Sequence, residues 1–134
     1  MESWDLYQQT VFVLGKGVEV SHLPGALGIV TAWNPDGQDS GGTANLRADE
    51  QLFAALVGGG CRPLRVTGCS PDGSHEEAGW LFGCDCETAV WWGQEYRQEA
   101  VYWVDGDALH LVGCGMPASR CALGSFRERL VLGA

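Results

Sequence analysis

The sequence predicts an α+β fold with a ferredoxin-like core, in which two helices cover one face of an antiparallel sheet. Apolar segments with strand character and segments with helical periodicity follow one another in the order βαββαβ between Gly28 and Val104. The 134 residues, 46% of them apolar, fit one domain over 1–134 that buries its own core. An N-terminal hairpin and a C-terminal strand would extend this core.

The first predicted strands come from β-branched and aromatic residues set between turn signals. Residues 7–13 and 18–20 lie on either side of a glycine-containing break and predict an opening hairpin. Residues 28–33 read as a buried strand that Asn34-Pro35 ends. The Gly, Asp and Ser residues that follow indicate a loop.

The next predicted elements are a helix and a short strand. The helix begins near Thr43, because threonine is a favoured N-cap, and ends at the glycines 58–60. Its apolar residues fall close to one face: Leu46, Leu52, Phe53 and Leu56. Residues 62–67 form a strand, and Pro63 within it predicts an edge position, because proline donates no hydrogen bond to a ladder.

The remaining elements complete the βαββαβ order. Residues 75–83 predict the third core strand, and Asp85 is a favourable N-cap for the second helix. That helix carries one apolar stripe: Ala89, Trp92, Gly93 and Tyr96. Residues 100–104 form the last core strand, and Asp105-Gly106 predicts a hairpin turn into a further strand. Residues 126–132 predict either a strand or a short helix.

The last core strand is apolar on both faces. Val101 and Trp103 alternate with Ala100, Tyr102 and Val104, so both faces of the sheet are expected to be buried. The helices cover only one of them. The second face therefore needs a cover, either the terminal segments or a second subunit in a homodimer.

The charge balance restricts the classes of partner. Eight basic and 17 acidic residues give a net charge of −9, which opposes binding to nucleic acid. No apolar run is long enough for a membrane span, and the acidic start does not resemble a signal peptide. We therefore expect a cytoplasmic protein that binds neither nucleic acid nor membrane, with a basic protein as one possible partner. No motif indicates a cofactor.

Six cysteines lie between residues 61 and 121, and reduced thiols are expected, since nothing marks secretion. The predicted hairpin between the second and third core strands would bring Cys61, Cys84 and Cys86 near one another. Three thiols are a weak candidate for a zinc site, because no fourth ligand is evident. Burial as small apolar side chains accounts better for the cysteine spacing.

Several short motifs follow one another in a definite order along the chain. They are Thr31-Ala-Trp-Asn-Pro35, Asn45 with Leu52 and Leu56, Gly60, Gly68, Pro71-Asp-Gly73, Glu77, Gly93, Tyr96, Gln98 and Ala100-Val-Tyr-Trp103. In this order and spacing the chain resembles the bacterial domain-of-unknown-function family 3293 over about residues 7–110, with residues 113–134 as a C-terminal extension. Arg97 and Glu99 depart from the family pattern, which has Gly and Asn there. The resemblance implies no activity, cofactor or partner.

The βαββαβ topology brings four polar residues to one end of the sheet: Asn34, Asn45, Glu77 and Gln98. Carboxamides both donate and accept hydrogen bonds, and Glu77 adds a negative acceptor or a base. The cluster predicts a site for a small polar ligand. Alternatively, the carboxamides cap loops and helix ends, and Glu77 pairs with an arginine.

Three functions follow, in order of preference. The first is a binding module that takes a small polar ligand at this polar edge. The second is an interaction or inhibitor protein that uses its acidic surface, the aromatic sheet face and Trp91, which lies off the apolar stripe of its helix. The third is a small enzyme with Glu77 as general base.

Overall fold

The computed structural model describes residues 3–115 and 119–131. Within these ranges the chain forms three α-helices and seven β-strands. In chain order they are α1 (Ser3–Gln8), β1 (Val11–Leu14), β2 (Ala26–Val30), α2 (Gly42–Gly58), β3 (Leu64–Cys69), β4 (Glu76–Gly83), α3 (Cys86–Glu95), β5 (Ala100–Asp105), β6 (Ala108–Gly113) and β7 (Arg120–Ser125). Short 3-10 helices span Val20–His22, Pro35–Gly37 and Arg127–Arg129. None of the described helices is long and apolar enough to cross a membrane.

The seven strands form one antiparallel sheet in the order β1-β3-β4-β2-β5-β6-β7. The predicted elements therefore occur along the chain as β2-α2-β3-β4-α3-β5, and the fold is mixed α/β. The sheet is nevertheless larger than a four-stranded ferredoxin-like sheet, and its full strand order differs from that prediction. The additional strands are β1 at one edge and β6 and β7 at the other.

The two long helices lie on one face of the sheet. Helix α2 starts at Gly42, close to the predicted Thr43, and Asp85 caps α3 by accepting a 2.8 Å hydrogen bond from the Thr88 backbone N–H. The predicted apolar face of α2 was partly wrong, because Leu46 and Phe53 are 59% and 41% exposed. The buried positions of α2 are instead Asn45, Asp49, Leu52 and Leu56.

The predicted N-terminal hairpin is also wrong. Strand β1 pairs instead with β3, Val11 opposite Cys69 and Leu14 opposite Val66. Residues 18–20 do not form the second strand of a hairpin. They lead into a 3-10 turn, in which His22 Nδ1 accepts a 3.1 Å hydrogen bond from the Glu19 backbone N–H. The same pairing places β3 inside the sheet rather than at the predicted edge. Pro63 does not prevent this, because it precedes the first residue of β3 and takes no part in the ladder.

The chain covers the second face of its sheet with its own terminal segments. The sheet curls until Phe12 of β1 meets Phe126 beyond β7, with 5.4 Å between ring centroids and both side chains buried. The Val131 backbone N–H donates to the Phe12 carbonyl at 2.8 Å. Of the predicted segment 126–132, residues Arg127–Arg129 form the short helix, and Leu132 lies outside the described residues.

Arg129 stabilises this closure by hydrogen bonds to backbone carbonyls. Its guanidinium donates to the carbonyl oxygens of Gln8 at 2.7 Å, Thr10 at 3.1 Å and Leu123 at 3.2 Å. The first two belong to the chain around the start of β1 and the third belongs to β7. One side chain therefore bridges the two edges of the sheet.

On the helix-covered side, a buried ion pair joins α2 to the sheet. Asp49, 4% exposed, accepts two hydrogen bonds from Arg65, at 2.9 and 2.7 Å, and the guanidinium lies 3.7 Å from the ring centroid of Trp80. The Trp80 indole N–H in turn donates to the Asp49 carbonyl at 3.2 Å. This packing explains why a charged residue occupies the buried face of α2.

Asp49→Asn should lower the free energy of unfolding by about 1–2 kcal/mol, because it removes a buried negative charge that accepts two hydrogen bonds from the partly buried Arg65 guanidinium. Asp36→Asn is the matched control, since Asp36 forms an exposed ion pair with Arg97. Its cost should be about 0–1 kcal/mol. Urea unfolding of both variants at pH 7 measures the difference, and equal losses would mean that the Asp49 pair is no better shielded from water.

Candidate functional site

A cavity of about 210 Å³ lies at the end of the sheet where β2 and β3 end and β1, β4 and β5 begin. Buried core side chains of the curled face lie behind it: Phe12, Ile29, Val66 and Leu111. Its accessible apolar surface comes from Leu6, Ala100 and the ring of Tyr102. Its polar wall carries carboxylates and hydroxyls: Tyr7, Thr10, Thr31, Glu77, Glu99 and Tyr102. The cavity is therefore the mouth of the curled sheet, partly covered by helix α1.

Glu77 is the polar group at the centre of this site. Strand alternation puts it on the concave side of the sheet together with Leu81, and it is half-buried opposite Gly68 of β3. Burial, and after it the negative charge of Glu99, raises the pKa of Glu77 to about 7. None of the described arginines pairs with it. Glu77 is thus a carboxyl group that can change its charge near neutral pH.

Two tyrosines stand beside the carboxylates. The Tyr7 hydroxyl donates to Glu99 Oε1 at 3.5 Å, and the Tyr102 hydroxyl donates to the Tyr7 carbonyl at 2.6 Å, with Thr10 Oγ1 2.8 Å away. Burial is the main cause that raises the pKa of each tyrosine, and the charges of the nearby glutamates add to it. Both hydroxyls therefore stay protonated and neutral at physiological pH.

Asn34 and Asn45 use their carboxamides to hold the backbone in place. The Asn34 N–H donates to Asn45 Oδ1, and Asn45 Nδ2 donates back to Asn34 Oδ1, both at 2.9 Å. Asn34 Oδ1 also accepts from the Ser40 N–H at 3.2 Å. Asn34 lines the cavity and has φ = 50°, a left-handed conformation that asparagine tolerates, whereas Asn45 is buried away from the cavity lining.

Gln98 also lines the cavity, but its carboxamide is already engaged. Its Nε2 donates to the backbone carbonyls of Trp33 and Tyr96, each at 3.1 Å. Gln98 thereby ties the end of α3 to the segment after β2. Of the four predicted site residues, the structure places three at the cavity, and of these Glu77 has a side chain without a described partner.

Sequence reasoning missed Tyr7, Glu99 and Tyr102 as parts of the site. Tyr7 was assigned to a strand, although it lies in α1, and Tyr102 was counted only as an apolar residue of β5. One available signal was the alternation of β5, which puts Tyr102 on the face opposite the helices. Glu99 was noted only as a departure from a family pattern.

The weak candidate for a zinc site is not supported by the placement of its thiols. Cys61, Cys84 and Cys86 pack against the core beneath the helices, and no group of three His, Cys, Asp or Glu residues within the described ranges is placed to hold a metal ion. Burial, with a smaller contribution from Asp85, raises the pKa of Cys84 to about 12. That thiol is therefore protonated, and all six cysteines are free.

Comparison with known proteins gives one match. A family model described as "Protein of unknown function (DUF3293)" matches residues 30–101, more than half of the chain. The matched segment begins at the end of β2, includes Glu77, Gln98 and Glu99, and ends in β5. No curated protein and no solved structure matches the chain.

Proposed function

The chain belongs to the family of proteins of unknown function DUF3293, and we propose that it is a binding module for a small polar ligand, held in the cavity at the mouth of the curled sheet. One observation carries the proposal. Glu77 stands half-buried in a cavity of about 210 Å³ and has no hydrogen-bond partner among the described residues. Leaving such a carboxyl group unpaired costs free energy, which ligand contacts would recover.

The composition of the cavity wall supports this proposal. Ligand sites combine a mainly apolar surface with a few polar groups that fix the orientation of the ligand. Here Leu6, Ala100 and the ring of Tyr102 supply accessible apolar surface, and Glu77 and Glu99 supply acceptors. The carboxamides of Asn34 and Gln98 keep the wall rigid through their backbone hydrogen bonds. Their role in the site is positioning rather than direct contact.

A thermal-shift screen with a broad set of small polar metabolites tests the proposal. A ligand that binds only the native state raises the melting temperature by mass action, and Glu77→Gln should remove most of that increase. Glu50→Gln is the matched control, because Glu50 is an exposed glutamate on α2 outside the cavity. If every hit shifts wild type and Glu77→Gln equally, or no hit is found, the proposal is wrong.

Absence of hits would instead favour a protein–protein interaction module, the second function that the sequence suggests. Four large apolar side chains are exposed on the two long helices: Leu46, Phe53, Val57 and Trp91, the last 51% exposed. A basic partner would suit the net charge of −9. An enzyme with Glu77 as general base is the third candidate, and the pKa of about 7 suits that role.

We also propose two features that the sequence predicts, one of the fold and one of the location. The four inner strands lie in the spatial order β3-β4-β2-β5 with α2 and α3 on one face, and we propose that they are a ferredoxin-like unit to which β1, β6 and β7 have been added. A cytoplasmic location is the other. It would agree with six free cysteines, since reduced thiols are usual in the cytosol.

A further inference from the structure

The cavity carries negative charge that no basic side chain offsets. Glu76, Glu77 and Glu99 lie in its lining, and none of the eight Lys and Arg residues, all of which are in the described ranges, is part of it. His75 is its single imidazole, and that side chain is exposed. An anionic ligand would be repelled here, and a cation would be attracted.

Three arginines of the described chain have partners outside the cavity. Arg65 is bound to Asp49 on the helix-covered side, and Arg97 pairs with Asp36 outside the cavity. Arg129 donates to three backbone carbonyls at the closure of the sheet. Moving any of them into the cavity would break these contacts. None of these three arginines is therefore free to pair with Glu77.

The hydrogen-bonding groups of the cavity also favour a donor-rich ligand. The Tyr102 hydroxyl is committed to the Tyr7 carbonyl and Thr10, and the Thr31 hydroxyl donates to the Ala78 carbonyl at 2.8 Å. What remains for a ligand is carboxylate oxygen, which only accepts when it is ionised, together with the Gln98 Oε1 acceptor and the Asn34 Nδ2 donor. A protonated amine or a guanidinium supplies several donors together with the complementary charge.

From this arrangement we propose that the ligand is a small organic cation, whose ammonium or guanidinium group contacts Glu77 and Glu99 and whose carbon part lies on Leu6, Ala100 and the ring of Tyr102. This inference rests on the proposed ligand-binding function and adds the chemical class of the ligand. Ionised Glu77 and Glu99 hold the charged group, and the apolar wall selects for a carbon skeleton of limited size.

Two sets of matched probes test the proposal. One set is benzylamine, benzyl alcohol and benzoate, and the other is cyclohexylamine, cyclohexanol and cyclohexanecarboxylate, so the charge changes on a constant carbon skeleton. Affinities are measured by NMR titration at pH 8 and low salt on wild type, Glu77→Gln, Glu99→Gln and the control Glu50→Gln. At least one amine should bind ten times more tightly than its alcohol and its carboxylate.

The variants show whether the carboxylates are responsible. Glu77→Gln and Glu99→Gln should each weaken amine binding about tenfold, and Glu50→Gln should leave it unchanged. Because Glu99 is exposed, its variant tests the charge without disturbing the core. Added salt should weaken the binding of the amines more than that of the alcohols.

Other outcomes separate this inference from the proposed function. If an alcohol or a carboxylate binds in the cavity at least as tightly as its amine, the cation proposal is wrong and the ligand-binding function stands. The same holds if neither amine binds while a neutral or anionic metabolite is the hit that depends on Glu77. If neither the probes nor the metabolite screen gives a ligand, both proposals fail.

Discussion

Phe12→Ala should lower the free energy of unfolding by about 3–5 kcal/mol, the usual cost of removing a fully buried phenylalanine. Phe12 is 0% exposed and contacts Tyr102 edge to face, with 4.9 Å between centroids, as well as Phe126. The substitution removes the side chain with which strand β1 closes the curled sheet. Urea denaturation followed by tryptophan fluorescence measures the loss.

Phe53→Ala is the matched control for this prediction. Phe53 is 41% exposed on α2 and contacts Trp80, with 4.6 Å between centroids, so its truncation should cost about 1 kcal/mol. If Phe12→Ala costs no more than Phe53→Ala, strand β1 does not cover the second face of the sheet. A second subunit would then be the better candidate for that cover.

Local patterns predicted the elements of the core, because each pattern there has a short-range cause. Asp85 caps α3 through a hydrogen bond within one turn, and the glycines after α2 end that helix. The alternation of β5 correctly placed apolar side chains on both faces of the sheet. These features depend on neighbours within a few residues.

The N-terminal elements could not be predicted in this way. Residues 7–13 have strand composition, but Tyr7 lies in α1. Its backbone carbonyl accepts a hydrogen bond from the hydroxyl of Tyr102, which is 95 positions away in the sequence. The pairing of β1 with β3, like the contact of Phe12 with Phe126, joins parts of the chain that are distant in sequence. No local pattern contains such information, and tertiary contacts override weak propensities.

The candidate site shows the same difference between features that short-range patterns predict and features that depend on distant residues. The topology of the inner strands was enough to bring Asn34, Glu77 and Gln98 to one end of the sheet. Whether each side chain was free depended on partners that the sequence does not name, such as the Trp33 carbonyl that Gln98 binds. The cavity itself exists because β1 and α1 complete the curled face. The sequence predicts β1 as a strand but with the wrong partner, and it does not predict α1.

Glu77→Gln should stabilise the protein at pH 8 and leave its stability nearly unchanged at pH 4.5. Burial, and then Glu99, raises the pKa of Glu77 from 4.5 to about 7 in the folded state. Between these values the native protein keeps a proton that the unfolded chain releases, so the wild-type free energy of unfolding falls as the pH rises through this window. Glutamine has no such proton and escapes the loss.

The expected gain at pH 8 is about 2 kcal/mol, because the full pKa difference corresponds to roughly 3 kcal/mol and solvent contact of the half-buried carboxyl reduces it. Other ionisable side chains line the same cavity, namely Glu76, Glu99, His75, Tyr7 and Tyr102. Comparing wild type with Glu77→Gln across pH cancels much of their contribution, and Glu50→Gln supplies the control for a lost surface charge.

Denaturation curves of the three proteins at pH 4.5, 6 and 8 decide the matter. If Glu77→Gln gains nothing at pH 8, the Glu77 carboxylate is well solvated, and the argument for an unpaired group awaiting a ligand loses its basis. If the gain appears, Glu77 lowers the free energy of unfolding of the wild-type protein near neutral pH. A residue retained at such a cost is typical of a functional site, where stability is given up for activity. A cationic ligand bound at Glu77 would favour the ionised carboxylate, so wild type at pH 8 with ligand at about 100 times its Kd should gain about 2.7 kcal/mol, more than Glu77→Gln gains without a ligand.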